Sequence, residues 1–194
     1  MISGKNEDEL LEIEVKIRID EPERLLSRLE SLGAACFRDR HLEDNLLYDY
    51  PDLMLAKRGC LLRLRRRPGE AVLTFKGKAR VERGAKVRLE REVKIGDPDT
   101  LAAILEGVGF KRAYRYQKYR TEFEFRGLKI AVDELPIGNF IELEGDQERI
   151  GEVGQLLGFQ PGNFLTVSYR DLHREHAERI GEAMGDLLFP PSKG

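Results

Sequence analysis

The chain has 194 residues, 35% of them charged, yet 33 Lys+Arg stand against 35 Asp+Glu and the formal net charge is −2. That balance excludes the lopsidedly basic surface of a dedicated nucleic-acid binder. Two cysteines, Cys36 and Cys60, are too few for a disulfide framework and fit reduced thiols. Residues Met1 to Leu10 are polar and acidic, unlike a signal peptide, and no apolar run approaches the ~18 residues of a membrane span. The expectation is a single cytoplasmic domain over residues 1–194 with no membrane partner.

Alternation at a period of two, the mark of a strand, appears first at Leu11–Ile19. Leu11, Ile13, Val15, Ile17 and Ile19 alternate there with Glu12, Glu14, Lys16 and Arg18. Asp20-Glu21-Pro22 predicts a helix start with Asp20 at the N-cap, a Leu25, Leu26, Leu29, Leu32 stripe and a stop at Gly33. Short strands follow at Asn45–Asp49, Leu62–Arg65 and Leu73–Lys76. From Lys86 to Ile95 one face carries Lys86, Arg88, Glu90, Glu92 and Lys94. Asp97-Pro98 opens a second helix that stops at Gly109. Further strands are predicted at Lys118–Arg126, Ile130–Asp133 and Ile141–Glu144, then a helix from Asp146 to Gly158. A last helix is predicted over 168–189, with a frayed tail from Pro190 to Gly194.

One unit recurs. Glu12-Ile13-Glu14-Val15-Lys16 before the first helix resembles Glu90-Arg91-Glu92-Val93-Lys94 before the second, and Glu142-Leu143-Glu144 before the third is a weaker copy. With no linker between the copies, this reads as pseudo-symmetry within one domain.

The charged strand faces admit two readings: an antiparallel sheet wetted on that side, or a barrel closed around it. Three amphipathic helices need apolar strand faces to cover, and like charges pair at i, i+2 in an ordered way. Both features favour an α+β fold, a closed eight-stranded antiparallel β-barrel with a charged lumen and helices packed outside. So many buried charges are tolerable only when paired or bound to metal and ligand. Other motifs are weaker. His173 and His176 read as solvent-facing rather than as a zinc pair. The run Lys76, Lys78, Arg80, Arg83, Lys86 reads as a mobile lid or as plain solvated charge. No GxxxxGK[ST] is present.

Glu12-x-Glu14-x-Lys16 resembles the ExExK signature of the CYTH, or triphosphate tunnel metalloenzyme, superfamily. Asn45-Leu46-Leu47-Tyr48-Asp49, Leu62-Arg63-Leu64-Arg65, Leu73-Thr74-Phe75-Lys76-Gly77 and Arg88-Leu89-Glu90-Arg91-Glu92 then resemble its later motifs in order. So do Lys118-Tyr119-Arg120, Asp133 with Gly138 to Glu144, and Ser168-Tyr169-Arg170-Asp171-Leu172. Val167 departs from the basic residue the family often has there. The absence of Trp argues against a thiamine triphosphate substrate.

The resemblance implies a small-molecule triphosphate substrate and Mg²⁺ or Mn²⁺, and a homodimer is compatible with it. Arg63, Arg65, Arg88, Lys118 and Arg120, with Lys16 and Lys76, are the candidates to grip phosphate. Lys16, Lys76 and Glu90 are the candidates nearest the chemistry. Glu12, Glu14, Glu142 and Glu144 are the expected metal ligands. Asp133 is a further metal candidate and Glu90 a possible companion to it, each alternatively orienting the cations. Water as nucleophile gives a triphosphatase; a ribose 3′-hydroxyl gives a class IV adenylate cyclase. A non-catalytic polyphosphate or nucleotide receptor is the third alternative.

Overall fold

Alternation of this kind gives each strand one apolar and one charged side, and the tertiary structure uses both sides of every strand. The computed structural model describes residues 11–190. The expectations for Met1–Leu10 and for the tail beyond Pro190 lie outside them. Nine strands form one antiparallel sheet: β1 (Leu11–Ile19), β2 (Ala35–Asp49), β3 (Leu61–Arg67), β4 (Glu70–Lys76), β5 (Arg80–Glu82), β6 (Ala85–Ile95), β7 (Lys111–Phe125), β8 (Leu128–Leu135) and β9 (Gly138–Glu144). Their order is β1-β9-β8-β7-β2-β3-β4-β6-β5, and a further β1–β6 pairing closes eight of them into the expected barrel. The ninth, β5, pairs with β6; Lys76 ends β4, and Arg80 to Lys86 of the basic run form a short hairpin. Its turn places Arg83 and Gly84 at positive φ, as a two-residue hairpin requires.

The three repeat copies are neighbours in space. β1 pairs with β6 on one side and with β9 on the other, so six alternating glutamates fall on three adjacent strands. Helix α1 (Pro22–Ser31) follows β1, α3 (Pro98–Gly107) follows β6 and α4 (Gln147–Leu156) follows β9; a single turn, α2 (Met54–Lys57), joins β2 to β3. Asp97 and Asp146 cap α3 and α4, each accepting from two backbone N–H groups. The N-cap of α1 is Glu21 rather than Asp20, and no side chain caps it. Pro22 fixes the start of that helix without a cap bond.

Odd positions of β1 carry the core: Val15 and Ile17 pack with Leu25 and Leu29 of α1, Ile150 and Val153 of α4, and Ile141 and Leu143 of β9. A second cluster sets Leu105 of α3 on Tyr48 and Leu64. Burying such side chains stabilises by about 1.5–3 kcal/mol each, and it is available only if the charged faces turn inward.

The C-terminal helix α5 (Tyr169–Ile180) is shorter than the predicted 168–189. Gly181 takes the left-handed conformation that ends a helix. The chain then runs extended along β7, where Gln117 N–H donates to the Leu187 carbonyl at 2.8 Å and Leu187 N–H to the Arg115 carbonyl at 2.9 Å. Leu187 is buried with Tyr114, Tyr116 and Leu172. Among the described residues no helix is long and apolar enough to cross a membrane.

Candidate functional site

Even positions of β1 point the other way from Val15 and Ile17, into the barrel. They meet in-phase residues of every other barrel strand around a cavity of about 1350 Å³. All seven expected phosphate-gripping cations line it: Lys16, Arg63, Arg65, Lys76, Arg88, Lys118 and Arg120. Glu12, Glu14, Glu90, Glu92, Glu142 and Glu144 line it too. Asp133 does not. It lies fully buried behind the wall, accepting from Lys118 at 3.0 Å, from Arg120 twice at 2.6 Å and from the Tyr169 hydroxyl at 2.6 Å.

The two sides of the lumen differ chemically. On the β7–β8–β9 side the ion pairs run as a chain: Lys118 to Asp133, Asp133 to Arg120, Arg120 to Glu142, and Glu142 to Lys16. Burial alone would raise the Glu142 carboxyl, but Lys16, Arg120 and Lys118 hold it well below its ordinary value. Burial likewise opposes charge on Lys16, and Glu142 and Glu14 more than compensate. On this side Asp133 stands behind the cations, leaving them to face the cavity.

On the β1–β6–β4 side the carboxylates themselves face inward. Glu12 accepts from Lys76 at 2.7 Å and from Arg88 at 3.2 Å; Glu14 accepts from Lys86 at 2.9 Å; Glu90 lies 2.8 Å from Lys76. Arg63 donates to Thr74 at 3.2 Å and lies 3.5 Å from Glu92. The strand register sets Glu14 directly opposite Glu144, a like-charge pair that repels. Burial pushes the Glu144 carboxyl up and nearby Glu12 adds to it, against the pull of Lys129.

The sequence reading missed four lumen features. Lys86, expected on the same strand face as Arg88 and Glu90 and in the basic run but not among the phosphate-gripping residues, lines the cavity. Glu43 is fully buried behind Arg65 and Lys118, on a part of β2 taken for a loop because its alternation is weak before Asn45. Tyr116 and Tyr169 line the cavity; Tyr116, two residues before Lys118 and in phase with it and Arg120, was the available signal. Burial would raise the Tyr116 phenol, yet Arg63, Lys118 and Arg65 bring it below its ordinary value. Lys16 sits 4.2 Å over the Tyr169 ring.

Other expectations resolve locally. His173 is buried and shares a 2.9 Å hydrogen bond with the Tyr114 hydroxyl, so it is not a solvent-facing partner of His176. Asp49 accepts from three backbone N–H groups, of Tyr50, Leu55 and Ala56, and is spent on the α2 turn. Cys36 and Cys60 are free thiols.

Comparison with known proteins agrees with this architecture. A Methanocaldococcus jannaschii protein provisionally named an adenylate cyclase is 28% identical over 174 residues, covering 84% of this chain and 98% of that protein. A Vibrio parahaemolyticus structure, also provisionally named an adenylate cyclase, superposes with a TM-score of 0.74 at 22% identity, covering 84% of this chain and 97% of that one. A Hippeastrum protein, described as an adenylyl cyclase by provisional name with a dominant triphosphatase activity, has a TM-score of 0.64 at 22% identity over 90% of this chain and 97% of its own. Residues 10–157 match the CYTH domain. The chain belongs to the CYTH domain family.

Proposed function

We propose that this protein is an enzyme that hydrolyses triphosphates, inorganic triphosphate or nucleoside triphosphates, held in the barrel lumen with a divalent metal ion. The observation that carries the reading is the lining of one barrel cavity by the seven named lysines and arginines together with the six alternating glutamates, with Asp133 buried behind Lys118 and Arg120.

A triphosphate entering the lumen competes for the lumen lysines and arginines. Arg65 and Arg120 present planar forks suited to phosphate oxygens. As phosphate oxygens take over Lys76, Arg88, Lys16 and Arg120, Glu12 and Glu142 lose their partners. Those freed carboxylates, with Glu14 and Glu144, are hard oxygen donors of the kind Mg²⁺ and Mn²⁺ prefer. The fit rests on donor chemistry and on the crowding of carboxylates, Glu12 and Glu142 acting against Glu14 and Glu12 against Glu144, which a cation relieves. Among the described residues no three such groups converge as a ready-made metal cage; each of the four carboxylates holds an ion pair, Glu12 with Lys76 and Arg88, Glu14 with Lys86, Glu142 with Lys16 and Arg120, and Glu144 with Lys129.

When bound, the metal supplies positive charge at the phosphate oxygens. Charge neutralisation and positioning are most of what phosphoryl transfer asks of a protein. Lys16, Lys76 and Glu90, all on the cavity wall, stand nearest the reacting phosphate in this reading. Asp133, set behind the cations, orients Lys118 and Arg120 rather than reaching the metal. A water oxygen attacks the terminal phosphorus, the bond to the bridging oxygen breaks, and phosphate leaves with the shortened chain.

A second reading, adenylate cyclase, draws on the name of the Methanocaldococcus relative. The same lumen serves it, with a ribose 3′-hydroxyl attacking the α-phosphorus and pyrophosphate leaving. The test is to incubate the protein with tripolyphosphate and, separately, with ATP, each with Mg²⁺ or Mn²⁺, and to identify the products. Phosphate from tripolyphosphate at a rate no slower than from ATP supports the hydrolase. Cyclic AMP and pyrophosphate from ATP, with tripolyphosphate inert, would put the cyclase first.

A further inference from the structure

One buried charge takes no part in that chemistry. Glu43, on β2, is fully buried. Its Oε1 lies 3.1 Å from Arg65 Nη1, and its Oε2 lies 3.5 Å from Lys118 Nζ. The same Oε1 lies 3.8 Å from Arg67 Nη1 and 3.7 Å from His41 Nε2. Neither carboxylate oxygen makes a well-aligned hydrogen bond.

An ionised carboxylate in such a place costs several kcal/mol unless nearby charge offsets it. Here the offset comes from cations held near without being captured. Burial would raise the Glu43 carboxyl, but Arg65, Lys118 and Arg120 keep it well below its ordinary value. The contrast with Glu12 is instructive: Glu12 takes both oxygens onto Lys76 at 2.7 and 2.8 Å and faces the cavity itself. Glu43 stands behind its cations instead.

Its two closest partners are both on the cavity wall. Asn45 accepts from Arg65 Nε at 2.9 Å, so Glu43 and Asn45 together hold the guanidinium along one edge. Lys118 lies between two buried carboxylates, Asp133 at 3.0 Å and Glu43 at 3.5 Å. Lys118 donates to Asp133, and the second carboxylate, Glu43, draws the ammonium group from the other direction. We infer that Glu43 is a positioning residue for the substrate, holding Arg65 and Lys118 at the separation that receives adjacent phosphate oxygens. The inference rests on the triphosphate reading above.

The sign of the effect separates this role from a bystander's. Were Glu43 only a charge near the lumen, neutralising it would make the cavity more positive and tighten anion binding. As a positioning residue, its loss leaves Lys118 with Asp133 as its one close carboxylate and lets Arg65 turn about the Asn45 contact, and binding weakens. The experiment is calorimetric titration of inorganic tripolyphosphate into the full chain in EDTA, which isolates the cations from metal and turnover, with thermal melts run alongside.

Wild type should bind, Glu43→Gln should bind at least about tenfold more weakly, the equivalent of one charge-assisted contact, and Glu43→Asp should fall between them. A carboxylate needed only for folding would lower the melting temperature and leave the affinity of the folded protein unchanged. Unchanged or tighter binding by Glu43→Gln therefore overturns the inference while leaving the triphosphate reading intact. If Glu43→Gln does not fold, Glu43→Asp decides in the same way: weaker binding supports the inference, equal or tighter binding overturns it. If wild type itself does not bind tripolyphosphate, the triphosphate reading fails and this inference with it.

Discussion

The Tyr169 hydroxyl donates to Asp133 at 2.6 Å, joining the first turn of α5 to the middle of β8 beneath the lumen wall. Asp133 also serves Lys118 and Arg120, so an exterior helix helps set two lumen cations. Tyr169→Phe keeps the ring that meets Phe140 edge to face and removes one donor to a buried carboxylate. A hydrogen bond to a charged group contributes about 1.5–3 kcal/mol, so kcat/KM for tripolyphosphate should drop about tenfold or more with the fold retained. Steady-state kinetics with circular dichroism tests it; wild-type kinetics would mean that Asp133 is adequately held by Lys118 and Arg120 alone.

Arg65 and Arg66 are sequence neighbours with opposite surroundings. Arg65 lines the cavity, whereas Arg66 is on the outside, 2.7 Å from Asp99 of α3. Arg65→Ala should weaken tripolyphosphate binding by about 2–3 kcal/mol. Arg66→Ala, which breaks an exposed pair, should change stability by less than about 1 kcal/mol and leave binding alone. Paired titrations of the two variants check it, and equal effects would contradict the strand orientation.

Glu14→Gln removes one carboxylate charge and little volume. Turnover should fall by at least about a hundredfold, as expected for loss of a transition-state electrostatic contact, with a higher Mg²⁺ or Mn²⁺ concentration needed for half-maximal rate. Metal titrations of activity test this. An unaltered metal requirement would remove Glu14 from the ligand set.

Glu70, at the β3–β4 turn, lies 2.9 Å from Lys94, 2.7 Å from Arg67 and 3.3 Å from Arg38. Hydrogen bonds from Lys94 and Arg67 lower its carboxyl from 4.5 to about 2. A depressed carboxylate stabilises the fold fully above its unfolded value, and that contribution is lost as pH falls from about 4.5 to about 2. Glu70→Gln should therefore melt below wild type at pH 7, with the gap closing across that window. Melting curves from pH 7 to 2 measure it; a gap independent of pH would assign the difference to packing.

The strands were legible wherever apolar and charged residues alternate strictly, as in β1, β6 and β9, because a period of two leaves one assignment of faces. β2 was read only from Asn45 although it begins at Ala35. Its first half, Cys36 to Glu43, alternates poorly and carries register shifts between Cys36 and Arg38 and between Arg38 and His41, which spoil the period. Helix starts at Asp97 and Asp146 were legible from cap chemistry. The end of α5 at Gly181 was not, because the apolar residues beyond it, Leu187 above all, continue a pattern that suits an amphipathic helix or an extended segment packed on β7.

The sequence by itself determined the inventory: which residues carry charge on each strand face, that three helices demand the opposite faces, and the family motifs in order. Only the tertiary structure decided which charges face the cavity and which stand behind it. Asp133 and Glu142 look alike as carboxylates on neighbouring strands, yet one is buried under Lys118, Arg120 and Tyr169 while the other lines the lumen. Closure through β1–β6 and the docking of α5 set that depth. Depth fixes each carboxylate's role, since a charge sealed from the cavity acts only on the groups that seal it, whereas one at the surface can exchange its partner for an incoming ion.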